Sequence, residues 1–177
     1  MDKSENPWSV LVAVEDIPET GLHFDLEAPP QARVDIAALV ELRALDELRA
    51  AFDLSRQGAG VHVTGKVQAR VGQRCVVTLD PVENALEEAV DLVFAPAGRA
   101  TPAAAEVKSL EPSGEPPETL IDGKVDLGVL ATEFLLLGID PYPRKPGAEF
   151  TQPKNDVSVE HPFAALEALR KPAPRKS

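Results

Sequence analysis

VHVTGKVQARVGQRCVVTLDPV, residues 61–82, decides the fold. Val61, Val63, Val67, Ala69 and Val71 fall at one parity; His62, Thr64, Lys66, Gln68 and Arg70 fall at the other. A period of two with one apolar side predicts a β-strand half-buried against a core, with its other face wet. The strand runs into Gly72-Gln73-Arg74-Cys75, and Asp80-Pro81 marks a turn beyond it. Working outward, GAG at 58–60 supplies a turn on the other side. Before it, Leu48, Ala50, Phe52 and Leu54 alternate with polar residues. ALDELRAAFDLSR also suits a continued helix; the alternation favours a helix ending near Leu45 and a strand over 47–55. After Pro81, Leu86, Val90, Leu92 and Phe94 keep strand parity, although Leu86, Val90 and Val93 also fit a helix. A third long strand completes an antiparallel meander, and strand is the reading adopted.

The flanks are read in the same way. WSVLVAV (8–14) is apolar and β-branched, a strand, and Leu22, Phe24 and Leu26 alternate in a second, closed by Pro29-Pro30. Asp35 is expected to cap a short helix, IAALVELR. Residues 95–120 hold five prolines and several acids and read as a flexible loop, as do 140–160. Asp122-Gly123 signals a turn. Asp126 caps LGVLATEFLLL, whose expected buried stripe is Leu127, Leu130, Phe134 and Leu137, with Gly138 at its C-terminal end. HPFAALEALRK (161–171) closes as an amphipathic helix. The expected class is α+β: an antiparallel sheet able to curl toward a barrel, with a few covering helices and long flexible loops. One domain over 1–171 and a basic tail over 172–177 fit a chain of 177 residues.

The net charge is −11. Residues 170–177 carry four cations and no acid, so residues 1–169 hold 14 of the 18 basic side chains against all 29 acidic ones, a balance of −15. Such a body repels bulk nucleic acid and suits either plain solubility or a basic partner. No apolar run approaches the roughly 20 residues of a spanning helix, and the first residues lack the basic and apolar pattern of a signal peptide. With one cysteine, no internal disulfide is possible. The expectation is a cytoplasmic protein with no membrane partner.

Catalytic patterns do not emerge. GAG and DGK are turns rather than phosphate loops. His23, His62 and His161 stand apart, and no serine sits in a nucleophile elbow. Glu133 lies among apolar helix residues, either solvated or facing a donor. Arg74 beside Cys75 can depress a thiol, but a lone cysteine more often simply packs. The reading is a protein without enzymatic activity, cofactor, metal or small-molecule substrate.

Three separated blocks add to this: GQRCVVTLDPV (72–82), VDLGVLATEFLLLGIDPYP (125–143) and HPFAALEALRK (161–171). In this order they resemble the YceD family, the large ribosomal RNA subunit accumulation proteins of bacteria and plastids, over roughly residues 8 to 171. The VTLDPV form is similar to the alphaproteobacterial branch. The positions that carry the resemblance are Gln73, Arg74, Cys75, Pro81 and Val82, then Asp126, Leu127, Glu133 and Leu135 to Leu137, then Pro162, Phe163, Ala164 and Leu169. The family pattern implies that Glu133 is a buried acid. Many members carry Cys-x-x-Cys where this chain has Gly72-Gln73-Arg74-Cys75, and His or Cys where it has Pro141-Tyr142-Pro143-Arg144-Lys145. That quartet would suit zinc; with one thiol left, no zinc is expected here.

The resemblance implies a non-catalytic role in large-subunit ribosomal RNA accumulation, in ribosome assembly. Two partners fit. Ribosomal RNA would meet a basic patch of Lys66, Arg70, Arg74, Arg144 and Lys145, aided by the tail. A basic ribosomal protein would meet Glu83, Glu87, Glu88 and the acids from Glu111 to Glu118. The balance of −15 favours the second. A protein-interaction module unrelated to ribosomes, anchored by Phe163, Leu166 and Leu169, is the alternative.

Overall fold

The computed structural model describes residues 6–96 and 117–150. The central element is the 61–82 stretch. β3 (Ala44–Gln57), β4 (Gly60–Arg74) and β5 (Pro81–Pro96) form the expected antiparallel meander. Its hairpin turns lie at 58–59 and 75–80. β2 (Leu22–Glu27) pairs with β3 on one side, and β6 (Glu118–Leu120) pairs in parallel with the end of β5 on the other. The sheet order is β2-β3-β4-β5-β6, and β2 and β6 lie at opposite edges, so the sheet stays open rather than closing into a barrel. A small ribbon joins β1 (Leu11–Ala13) to β7 (Lys124–Asp126). The class is α+β.

The alternation works as expected. Phe52, Leu54, Val61, Val63, Val67 and Val71 turn inward and are almost wholly buried. One inward row runs Phe24, Phe52, Gly65, Val90. Gly65 has φ +153°, and a Cβ there would lie 2.0 Å from the Ala51 carbonyl oxygen. Only glycine lets the backbone of β3 approach this closely.

Helix α1 (Pro30–Leu39) begins five residues before the expected cap. Pro29-Pro30 does end β2, but Pro30 also serves as the first helical residue, where its missing N–H is no loss. Asp35 therefore lies inside the helix and accepts from the Gln31 side chain at 2.9 Å. The helix stops at Leu39, not near Leu45. The Leu42 N–H donates to the Ala37 carbonyl at 2.9 Å, and Glu41 takes the left-handed conformation, φ 56°. This is a Schellman stop with glutamate where glycine is usual.

Helix α2 (Leu127–Gly138) is capped by Asp126 as expected: its carboxylate accepts the Gly128 and Val129 N–H groups at 3.1 and 3.2 Å. Its buried side is Leu127, Leu130, Ala131 and Leu135, with Phe134 partly covered; Leu137, placed in the stripe from sequence, is 74% exposed. Gly138 is the last helical residue rather than a left-handed cap, and it closely adjoins the Glu88 side chain. Both helices and the β1–β7 ribbon close one core against the inward face of the sheet.

Of the two expected loops, residues 95–96 and 118–120 are strand. The Asp122-Gly123 turn forms with φ 53° and 70°, the pattern of a type I′ turn. The rest of 97–116, the 161–171 helix and the basic tail lie outside the described residues.

Candidate functional site

β4 ends where the first block begins. Gln73 points inward and is 8% exposed. Its amide nitrogen donates to the Asp140 carbonyl at 2.8 Å, and its oxygen accepts from the Asn84 side chain at 2.9 Å. Both ends of the amide are thus partnered, as a buried polar group requires. Arg74 is exposed and pairs in register with Pro81, the first residue of β5. Val82 is buried beside it.

Cys75 is wholly enclosed. Its sulfur accepts N–H groups from Val77, Thr78 and Lys145, each at 3.4 Å. Two come from the following turn and one from the loop after α2. The thiol is pulled down to about 6, chiefly by the Lys145 N–H, then by the Thr78 hydroxyl and amide; enclosure opposes the shift and loses. The loop is also held by the Val76 N–H on the Pro143 carbonyl, 2.9 Å, and by Lys145 Nζ on Asp80, 3.0 Å. Lys145 holds the Asp80 carboxyl below the usual range. Asp126 does similar work at the other end of α2, accepting from the Ser9 hydroxyl and from the Val10 N–H at 2.8 Å.

The residues around Cys75 do not fit a zinc ion. A zinc ion at this position would find a single thiolate, short of the four ligands of a tetrahedral site. Among the described residues no three His, Cys, Asp or Glu side chains converge on a metal position.

The outer face of the sheet is a second feature. Its rows read His23, Asp53, Thr64, Asp91; Asp25, Ala51, Lys66, Ala89; Glu27, Arg49, Gln68, Glu87; Glu47, Arg70, Ala85; and Gly72, Glu83. Seven carboxylates thus face three fixed cations. Arg49 is already held by Glu47 (2.8 Å) and Glu27 (3.5 Å), and Lys66 by Glu87 (3.6 Å). Asp53 lies 2.7 Å from His23 and holds that imidazole above its ordinary value; Asp91 lies 2.6 Å from His62. A depression of about 380 Å³ opens over Ala51, between Asp25 and Glu27 on one side and Lys66 and Gln68 on the other.

A family model described as large ribosomal RNA subunit accumulation protein YceD matches residues 63–170. The chain belongs to the YceD family. No curated protein and no solved structure matches it. The family match starts within β4, so β1, β2, α1 and β3 precede it, whereas the resemblance read from sequence reached back to residue 8. Among the described residues, no helix is long and apolar enough to cross a membrane.

Against this geometry, the residues singled out from sequence divide into groups. Gln73, Cys75 and Pro81 meet at the strand end with Asp140 of the second block and Lys145 two residues beyond it. Asp126 sits at the N-terminus of α2. Glu133 is exposed, not buried, because it lies on the outer side of α2; partial desolvation, then Glu118 and Asp126, raise its carboxyl. Pro162 and Phe163 lie outside the described residues. The basic patch is divided: Lys66 is tied to Glu87 and Lys145 to Asp80, while Arg70, Arg74 and Arg144 make no ion pair among the described residues. Glu88 lies on the opposite face from Glu83 and Glu87, beside Gly138. Sequence reasoning missed Asn84, Asp80 and Asp91. The signal for Asn84 was available: an amide at an inward parity of a strand needs a buried partner.

Proposed function

We propose that this YceD-family chain serves large-subunit ribosomal RNA accumulation without catalysis, by holding a basic ribosomal protein on the outer face of its sheet. The role in ribosomal RNA accumulation comes from the family. What carries the choice of partner is the charge on that face: seven carboxylates against three cations, two of the cations already neutralised by neighbours. An RNA phosphate approaching Lys66 must displace Glu87, while an incoming lysine or arginine meets Glu83, which has no ion pair among the described residues, and Asp25 and Asp91, whose partners are the histidines His23 and His62. The titratable groups of this face lie on an open surface as ion pairs, which suits recognition better than bond chemistry. This reading places the protein in the cytoplasm, with no cofactor and no small-molecule substrate, and treats residues 1–171 as one unit with a basic tail.

RNA binding is the second reading, favoured by Arg70, Arg74 and Arg144, which no acid occupies among the described residues. The two separate in one experiment. The purified chain is offered proteins extracted from large ribosomal subunits and, separately, the same subunits' RNA stripped of protein. Salt-sensitive capture of ribosomal proteins, lost in Asp25→Asn/Glu87→Gln/Asp91→Asn, is expected. Capture of naked RNA alone, lost on Arg70→Gln/Arg74→Gln/Arg144→Gln, overturns the protein reading.

A further inference from the structure

The acidic face runs out at β5, which among the described residues is an edge for most of its length. β6 covers only Phe94 to Pro96. From Pro81 to Val93 no strand lies on its outer side among the described residues. At about 3.3 Å per residue, roughly 40 Å of backbone therefore presents N–H and C=O groups with no ladder partner among the described residues. Proteins blunt such edges, because an open edge recruits other chains. Here the blunting has a single sign. PVENALEEAVDLVFAP, the whole of β5, holds Glu83, Glu87, Glu88 and Asp91 and no lysine, arginine or histidine.

We infer that the edge of β5 is a docking strand for an extended lysine- or arginine-rich protein segment, which adds to the sheet by backbone hydrogen bonds. The inference rests on the protein-binding reading above and supplies its mode. Two sequence features define the occupant. On the outer face Glu83, Glu87 and Asp91 recur every fourth residue, so cations on one face of an added strand lie next to them. On the inner face Val82, Leu86 and Val90 recur at the same spacing, so the alternate residues of that strand are apolar. A second copy of this chain is disfavoured, since its β5 would set carboxylate against carboxylate. RNA is disfavoured by the same sign and offers no strand backbone. Glu83 is exposed and makes no ion pair among the described residues, so it is open to an incoming cation, whereas Glu88 is half-buried on the inner face beside Gly138.

The test uses the full chain and a short peptide alternating lysine and valine, with a second peptide of the same sequence methylated at every backbone amide. Both carry the same charge; only the first can join a ladder. The expected result is binding of the plain peptide, slowed amide exchange within 82–93, and affinity for the methylated peptide lower by about tenfold or more. Equal affinity for both peptides overturns strand addition while leaving the charge reading intact. Binding of neither, or binding unchanged in Glu83→Gln/Glu87→Gln/Asp91→Asn, overturns both. Affinity lowered for both peptides in that variant, with the gap between them kept, supports both.

Discussion

The Lys145 N–H donates to Cys75 Sγ at 3.4 Å, joining the turn after β4 to the loop after α2 across 70 residues of chain. Two turn amides, from Val77 and Thr78, complete the set around the sulfur. The lone cysteine is therefore neither idle packing nor an exposed nucleophile. It is an enclosed acceptor that ties the first family block to the loop just beyond the second. Gln73 makes the same connection one residue pair earlier, through the Asp140 carbonyl.

The thiolate form is the better acceptor, so loop docking depends on pH. The Cys75 thiol lies near 6 in the folded chain, below the usual value near about 8.5. A depressed acid stabilises the fold fully above its unfolded value and loses that contribution as pH falls through its folded value. Asp80, also depressed by Lys145, acts in the same direction at lower pH. Thiolate absorbance should titrate with a midpoint near 6, and proteolysis within 140–150 should rise as pH falls through that range. Cys75→Ala should remove the absorbance change and flatten the first part of the proteolysis profile. A midpoint at the ordinary thiol value contradicts the arrangement.

Gln73→Leu keeps volume near the original but leaves the Asn84 amide and the Asp140 carbonyl without their partner. The expected loss is about 1–3 kcal/mol in denaturant unfolding, with faster cleavage of the 140–150 loop at constant pH. Unchanged stability and cleavage would show that the amide does not hold the loop.

Among the described residues three other than glycine sit at left-handed backbone positions: Asp122 in its type I′ turn, where aspartate is tolerated, Glu41 after α1, φ 56°, and Leu79 in the 75–80 turn, φ 62°. Leu79 is also 68% exposed and gives up little burial on truncation. Glu41→Gly and Leu79→Gly should each stabilise by about 1 kcal/mol, measured as a higher denaturant midpoint at unchanged slope. A lower midpoint in either refutes the strain argument for that position.

The meander was legible because period two persists through 61–71 and again through 86–94, and no turn chemistry interrupts it. The Asp126 cap was legible for a local reason as well: the carboxylate and the N–H groups it accepts lie within three residues. What failed was decided at a distance or by competing local signals. Pro29-Pro30 can end a strand and begin a helix at once, and only the start at Pro30 shows that it does both. Leu137 belongs to an apolar run, yet it lies at the margin of the buried face and is left exposed. β6 is three residues paired with the end of β5, with only Leu120 in the core, so a proline-rich reading of 95–120 could not find it. The donors around Cys75 are backbone groups, one of them 70 residues away, and backbone donors leave no mark in a sequence.

The account depends on the acidic outer face acting in ribosomal RNA accumulation. Its most direct test is the ratio of large- to small-subunit ribosomal RNA in cells lacking this gene, complemented with variants confirmed to fold. The wild type and Arg70→Gln/Arg74→Gln/Arg144→Gln should restore the ratio, whereas Asp25→Asn/Glu87→Gln/Asp91→Asn should leave it low. Restoration by the acid-depleted variant, with failure of the arginine variant, would contradict the account and move the function to the basic end of the sheet.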